Sequence, residues 1–111
     1  MDTRDSLNAN VESVLIGYTK IPYSHGDFQS EAIFDRTRDR YVLMNVGWDD
    51  RTRVHGCLIH IDIIDGKLWI QRDGTEHGIT KELLEAGIPK DRIVLAFKPH
   101  EALRLTEYAV G

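Results

Sequence analysis

Cysteine is almost missing from this chain: one, Cys57, stands among 111 residues. No intrachain disulfide can form, and a lone thiol suits a reducing cytoplasm, the expected location. Basic charge is also short. Fourteen lysines and arginines face eighteen acids, for a net charge of -4. An autonomous DNA binder gains its affinity by neutralising phosphates with a basic surface, so the balance argues against one. It leaves room for a protein that reaches DNA only indirectly, through a partner. No apolar run approaches a membrane span, and "MDTRDSLNANVES" lacks the basic start and apolar stretch of a signal peptide. Internal repeats, low-complexity tracts and linkers are absent too.

What remains fits one small domain over residues 1–111, with 41% hydrophobic residues to build a modest core. Leu7, Val11, Val14, Leu15 and Tyr18 recur at helical spacing and predict an amphipathic helix over 3–19, capped by Asp2 or Thr3. "IPYSHGD" reads as a loop. From Phe28 the period becomes two. Strands are predicted at "FQSEAIF", "RYVLMNVGW", "RVHGCLIHIDII" and "KLWIQR", in an antiparallel meander of four. Asp65-Gly66 is the strongest local signal, since this dipeptide suits a type I′ hairpin turn. Thr80 to Ala86 predicts a short helix capped by Thr75 or Thr80, stopped at Gly87 with Pro89 beyond. "RIVLAF" follows as a short strand, and the tail "RLTEYAVG" is expected to dock. The fold class is α+β.

The register follows from the turn. A two-residue loop at Asp65-Gly66 sets Ile63 opposite Leu68 and Ile61 opposite Ile70. Cys57 and Ile59 share that face. A four-residue turn after Trp48 adds Val42, Met44, Val46 and Trp48 to it. The other face should then carry Tyr41, Leu43, Leu58 and Trp69 among Asn45, His60, Asp62 and Gln71, with Asp62 opposite Trp69 and His60 opposite Gln71. Aromatic and aliphatic anchors mixed with hydrogen-bonding groups suit an interface. The candidate partner-binding residues are therefore Tyr41, Leu43, Leu58, His60, Asp62, Trp69 and Gln71.

Catalytic signals are weak by comparison. His55 and His60, five apart in one strand, point to opposite faces under regular alternation. His60 and Asp62 share a face, but two ligands are too few for a closed metal site. Asp65-Gly66-Lys67 is better explained as a turn than as part of a nuclease motif. Cys57 on an apolar face disfavours a thiolate, and no glycine loop matches a phosphate or dinucleotide fingerprint. Arg36, Arg38, Arg40, Arg51 and Arg53 alternate with Asp35, Asp39, Asp49 and Asp50, the pattern of a self-paired surface. The residues thus point to a non-enzymatic interaction module with no catalytic residue, metal or cofactor. The alternatives are a small metal-dependent hydrolase using His60 and Asp62, and weak direct DNA binding through the turns from Arg36 to Arg53.

"PYSHGD", "IFDRTRDRYVLMNVGW", "RVHGCLIHIDIIDGKLWIQRDGTEHGI", "ELLEAGIPKDRIVLAFKP" and "YAVG" together span most of residues 22–111. In these blocks the chain resembles the XisI family, excision-controlling factors named for the fdxN element of heterocyst-forming cyanobacteria. Residues 1–21 match only as a leading helix, and "NAN" at 8–10 favours a helix less than the family's pattern does. The order Gly-Trp, His-Gly-Cys, His-Ile-Asp, Asp-Gly-Lys and Asp-Gly-Thr from Val46 to Gly78 is the specific part. The resemblance implies an accessory, regulatory role in programmed DNA excision, with strand exchange left to a site-specific recombinase. It also implies a companion, a XisH-like protein of the nuclease-like fold. The self-complementary sheet face adds the expectation of a homodimer.

Overall fold

A computed structural model describes residues 3–21 and 26–111, with side chains in the first helix from Ser6 onward. Of the capping residues expected at Asp2 or Thr3, Asp2 and the side chain of Thr3 lie outside what is described, as do Pro22 to His25 of the expected loop. Helix α1 (Thr3–Thr19) is followed by β1 (Asp27–Asp35), β2 (Arg40–Asp49), β3 (Thr52–Ile64) and β4 (Lys67–Asp73). Then come α2 (Thr80–Glu85), a 3-10 turn (Lys90–Arg92), β5 (Ile93–Val94) and α3 (His100–Leu103). The sheet has five strands in the order β1-β2-β3-β4-β5. The first four form the antiparallel meander that the period-two segments foretell. The fifth is an addition: Ile93 and Val94 pair in parallel with Leu68 and Trp69, and only these two residues of "RIVLAF" are strand.

The helix and the hairpin follow their local chemistry. Leu7, Val11 and Leu15 are buried on one stripe of α1, with Val14 and Tyr18 packed beside them. Asp65 and Gly66 both take positive φ, 50° and 76°, as a type I′ turn requires. Ile63 pairs with Leu68 and Ile61 with Ile70, and all four are core residues.

The helix ends are less regular. Neither Thr75 nor Thr80 caps α2. Its N-cap position is Ile79, without a side-chain cap. Asp73 takes the role from six residues upstream, one oxygen accepting from the Ile79 amide at 2.8 Å and the other from Thr75. At the far end the Gly87 amide donates to Leu84 and that of Ile88 to Leu83. This is the paired bonding that closes a helix when its last carbonyls lack partners, with Ile88 and Leu83 buried against the same core.

Glu12 ties α1 to the β1–β2 turn. Arg36 donates to both of its carboxylate oxygens, at 2.8 and 2.6 Å. The hydrogen bond from Arg36 holds the Glu12 carboxyl below its ordinary value, against the opposing pull of burial. A carboxyl lowered by folding stabilises the fold above its unfolded pKa and ceases to do so as the pH falls through its folded one. The chain should therefore lose stability on acidification below about 4.5, the ordinary value. Glu12→Gln should lose less, because this contribution is already gone. Urea midpoints of both proteins across acid pH check this, and parallel curves would contradict it.

Candidate interaction face

Two bulges decide which residues share a face. From the β2–β3 turn the strands pair with Trp48 opposite Arg53, Val46 opposite His55 and Met44 opposite Cys57. The register then shifts: Leu43 pairs with Ile59, Val42 with His60 and Tyr41 with Ile61, leaving Leu58 as the extra residue. The Leu58 carbonyl accepts instead from the Gly74 amide at 2.7 Å. An extra residue reverses inward and outward beyond it. A second shift pairs His60 with Arg72 and Ile61 with Ile70, leaving Gln71 unpaired in β4.

The expected faces of β2 are therefore exchanged. Tyr41 and Leu43 are fully buried beside Ile59 and Ile61, and Leu58 packs against the same core. They belong to the helix-covered face and leave the candidate set. Asn45 joins them there: it pairs with Ser30 and accepts a hydrogen bond from its hydroxyl at 2.9 Å. Val42, Met44 and Val46 are only half-buried, and Trp48 is 49% exposed. None of the four packs against the buried core. Cys57, opposite Met44, shares their outer face rather than the core. Burial raises its thiol pKa, with Arg72 opposing. His55 and His60 sit opposite Val46 and Val42, so the bulge puts both imidazoles on one face.

The residues placed by counting from the Asp-Gly turn stay together. His60 Nε2 lies 2.8 Å from Asp62 Oδ1, and Gln71 Nε2 donates to Asp62 Oδ2 at 3.4 Å. Asp62 is opposite Trp69, as expected, whereas His60 is opposite Arg72 and not Gln71. This cluster holds the imidazole in a fixed orientation through Asp62. Among the described residues no three His, Cys, Asp or Glu side chains are placed to hold a metal ion.

The C-terminal tail covers one end of this face. Ala109 bridges Val94, its amide donating to Ile93 at 2.8 Å. Lys67 donates to the Gly111 carbonyl. A side chain built at Gly111 would come within 3.1 Å of the Trp69 ring. Trp69 thus packs against the chain's own core together with Tyr108 and Ala109. The uncovered part lies further along, at Val42, Met44, Val46, Trp48 and Ile33, the last 56% exposed.

The arginines of the turns are largely engaged. Arg36 holds Glu12, Arg38 holds Asp35 at 2.9 Å, and Arg53 lies 5.2 Å from the centre of the Trp48 ring. A feature that the sequence did not signal is the cleft of about 260 Å³ between Tyr18, Ile21, Asn45, Leu58 and Thr75. Burial, then the charges of Glu82 and Asp73, push the Tyr18 hydroxyl up to about 12. The cleft's residues come from α1 and the segment just after it, two strands and the loop after β4, so no local motif announces it.

A profile of the XisI protein family matches residues 1–110. The chain belongs to the XisI family. A XisI-like protein from Anabaena variabilis ATCC 29413 is 33% identical over 97% of this chain and 99% of its own, and superposes with a TM-score of 0.87. A second crystal structure from that organism, of the fdxN element excision controlling factor XisI, is 31% identical. It covers 99% of this chain and 100% of its own, with a TM-score of 0.81. A comparison with curated proteins found no match. The leading helix, the mostly antiparallel sheet and the short C-terminal helices are thus those of a XisI-like fold. Among the described residues no helix of this XisI-family chain is long and apolar enough to cross a membrane.

Proposed function

We propose that the protein is a non-enzymatic accessory factor in the excision of a DNA element, acting through protein–protein contact in the cytoplasm. The observation that carries this reading is the 31% identity, across 99% of the chain, to the fdxN element excision controlling factor XisI. The uncovered aliphatic surface of the sheet supplies a means. Half-exposed aliphatic residues on an open sheet face, beside the His60–Asp62–Gln71 cluster, match the make-up of contact surfaces. In this reading a site-specific recombinase performs strand exchange. The chain contacts a XisH-like companion, the recombinase, or both. Capture of that companion by the tagged chain tests it, and excision unchanged in cells lacking the chain would refute it.

DNA is reached only through those partners. The net charge is -4, and two of the five turn arginines are held by carboxylates. The isolated protein should bind duplex DNA no better than an acidic control at roughly physiological salt. Nanomolar, sequence-specific binding in a gel shift would contradict this.

One contact favours a second reading. The 2.8 Å approach of His60 to Asp62 brings together two side chains of the kind that a metal-dependent hydrolase uses. Stoichiometric zinc or manganese in the purified protein would support that reading over the first.

A further inference from the structure

We propose that the outer face is occupied by a second copy of the chain, related by a two-fold axis that runs along β2. This rests on the reading of that face as a contact surface and names its occupant.

Strand pairing arranges the face in columns. Along β1 the outward positions are Asp27, Gln29, Glu31, Ile33 and Asp35, opposite Trp48, Val46, Met44, Val42 and Arg40 of β2. Along β3 they are Arg53, His55, Cys57, His60 and Asp62. Arg72 of β4 pairs with His60 and reaches the Cys57 carbonyl at 2.7 Å. The face therefore carries an acidic column on one side, an apolar column in the middle and basic groups on the other. Asp62, bonded within its own cluster, is the exception.

Such a face complements itself in one orientation. An isologous contact needs each patch to meet its own copy. With the axis along β2, the apolar columns meet and each level of the sheet faces the same level. β1 of one copy then lies over β3 of the other. Asp27 faces Arg53 of the second copy, and Glu31 faces the level of its Cys57, with Arg72 alongside. Symmetry doubles both pairs. At the far end Asp35 faces the level of Asp62 and Arg40 faces its own copy. There each carboxylate keeps a partner within its own chain, Arg38 for Asp35 and His60 for Asp62. An axis across the strands instead lays β1 over β1, setting Glu31 against Glu31 and Asp27 against Asp35, and like charges oppose association. Edge-to-edge pairing through β1 centred on Glu31 fails for the same reason.

The test is sedimentation equilibrium of the full chain at low ionic strength, with circular dichroism to confirm folding. The wild-type chain should show twice the mass of one copy and dissociate as salt rises, because exposed charge pairs are screened. Met44→Asp should stay folded and become monomeric. Glu31→Arg and Arg72→Glu should each weaken association by about tenfold or more. Mixing those two variants should restore it, because each cross-contact is again between opposite charges. A wild-type chain that is monomeric at every concentration overturns the proposal, as does a Met44→Asp chain that still dimerises. Failure of the mixture to recover overturns the axis along β2. The contact-surface reading is tested separately by capture of the XisH-like companion. If the wild-type chain is monomeric but Met44→Asp abolishes capture, the second copy is excluded and the contact surface stands. If Met44→Asp changes neither, both fall.

Discussion

Leu43→Asp should leave no cooperatively folded protein. Leu43 is fully buried, paired with Ile59 and flanked by Tyr41 on the same face. A carboxylate there would be cut off from solvent, beside the apolar Ala32 and Ile59 that pair with this position. Burying an unpaired charge costs more than several kcal/mol, and a domain of this size has only about 5–15 kcal/mol in total. Protonation would relieve part of that and still leave a polar group in a packed core. The adjacent Met44 points the other way, and Met44→Asp should fold. Far-UV circular dichroism and urea unfolding of the two variants compare neighbours that differ only in face. A Leu43→Asp protein with the parent midpoint would mean that β2 is inverted and that Leu58 is not an extra residue.

Gly47→Ala should be the next most damaging of the changes considered. Gly47 has a φ of 148°, and a side chain there would sit 2.3 Å from the Asp27 carbonyl oxygen and 2.4 Å from the Phe28 Cα. Both contacts are β1 backbone, which no rotamer change can clear. Either β1 moves away or its first residues lose their pairing. The expected cost is roughly 2–5 kcal/mol, combining overpacking with backbone strain. Gly56→Ala is the control, because a side chain there meets nothing within 4 Å. It should stay within about 1 kcal/mol of the parent. Urea midpoints and amide exchange in β1 distinguish the two, and equal stabilities would contradict the close approach.

Much of this fold was legible because its signals are local. The stripe from Leu7 to Tyr18 has a helical period, and the Asp-Gly turn sets Ile61, Ile63, Leu68, Ile70, Asp62 and Trp69 by counting along short strands. The Leu58 bulge has no such mark. "YVLM" at 41–44 is apolar at every position, so alternation gives no warning that its faces exchange. The turn after Trp48 sets the pairing correctly as far as Met44, and one extra residue then reverses the rest. That single residue moved Tyr41 and Leu43 from the expected contact surface into the core. It also brought Val42 and Met44 out. The pairing of Ile93 and Val94 with β4 was illegible for another reason: two residues joined through a helix carry no register signal. The candidate site was therefore partly readable. His60, Asp62 and Gln71 come together as expected, whereas the aliphatic surface beside them emerges only once the bulge is known.

The sharpest measurement is element excision in cells whose only copy of the chain is Met44→Asp, with thermal unfolding of the same purified variant. If the protein works through contacts on its outer sheet face, this variant remains folded and excision is lost, while Met44→Leu keeps both the fold and excision. A folded Met44→Asp protein that supports excision at the wild-type level would contradict the assignment of function to that face.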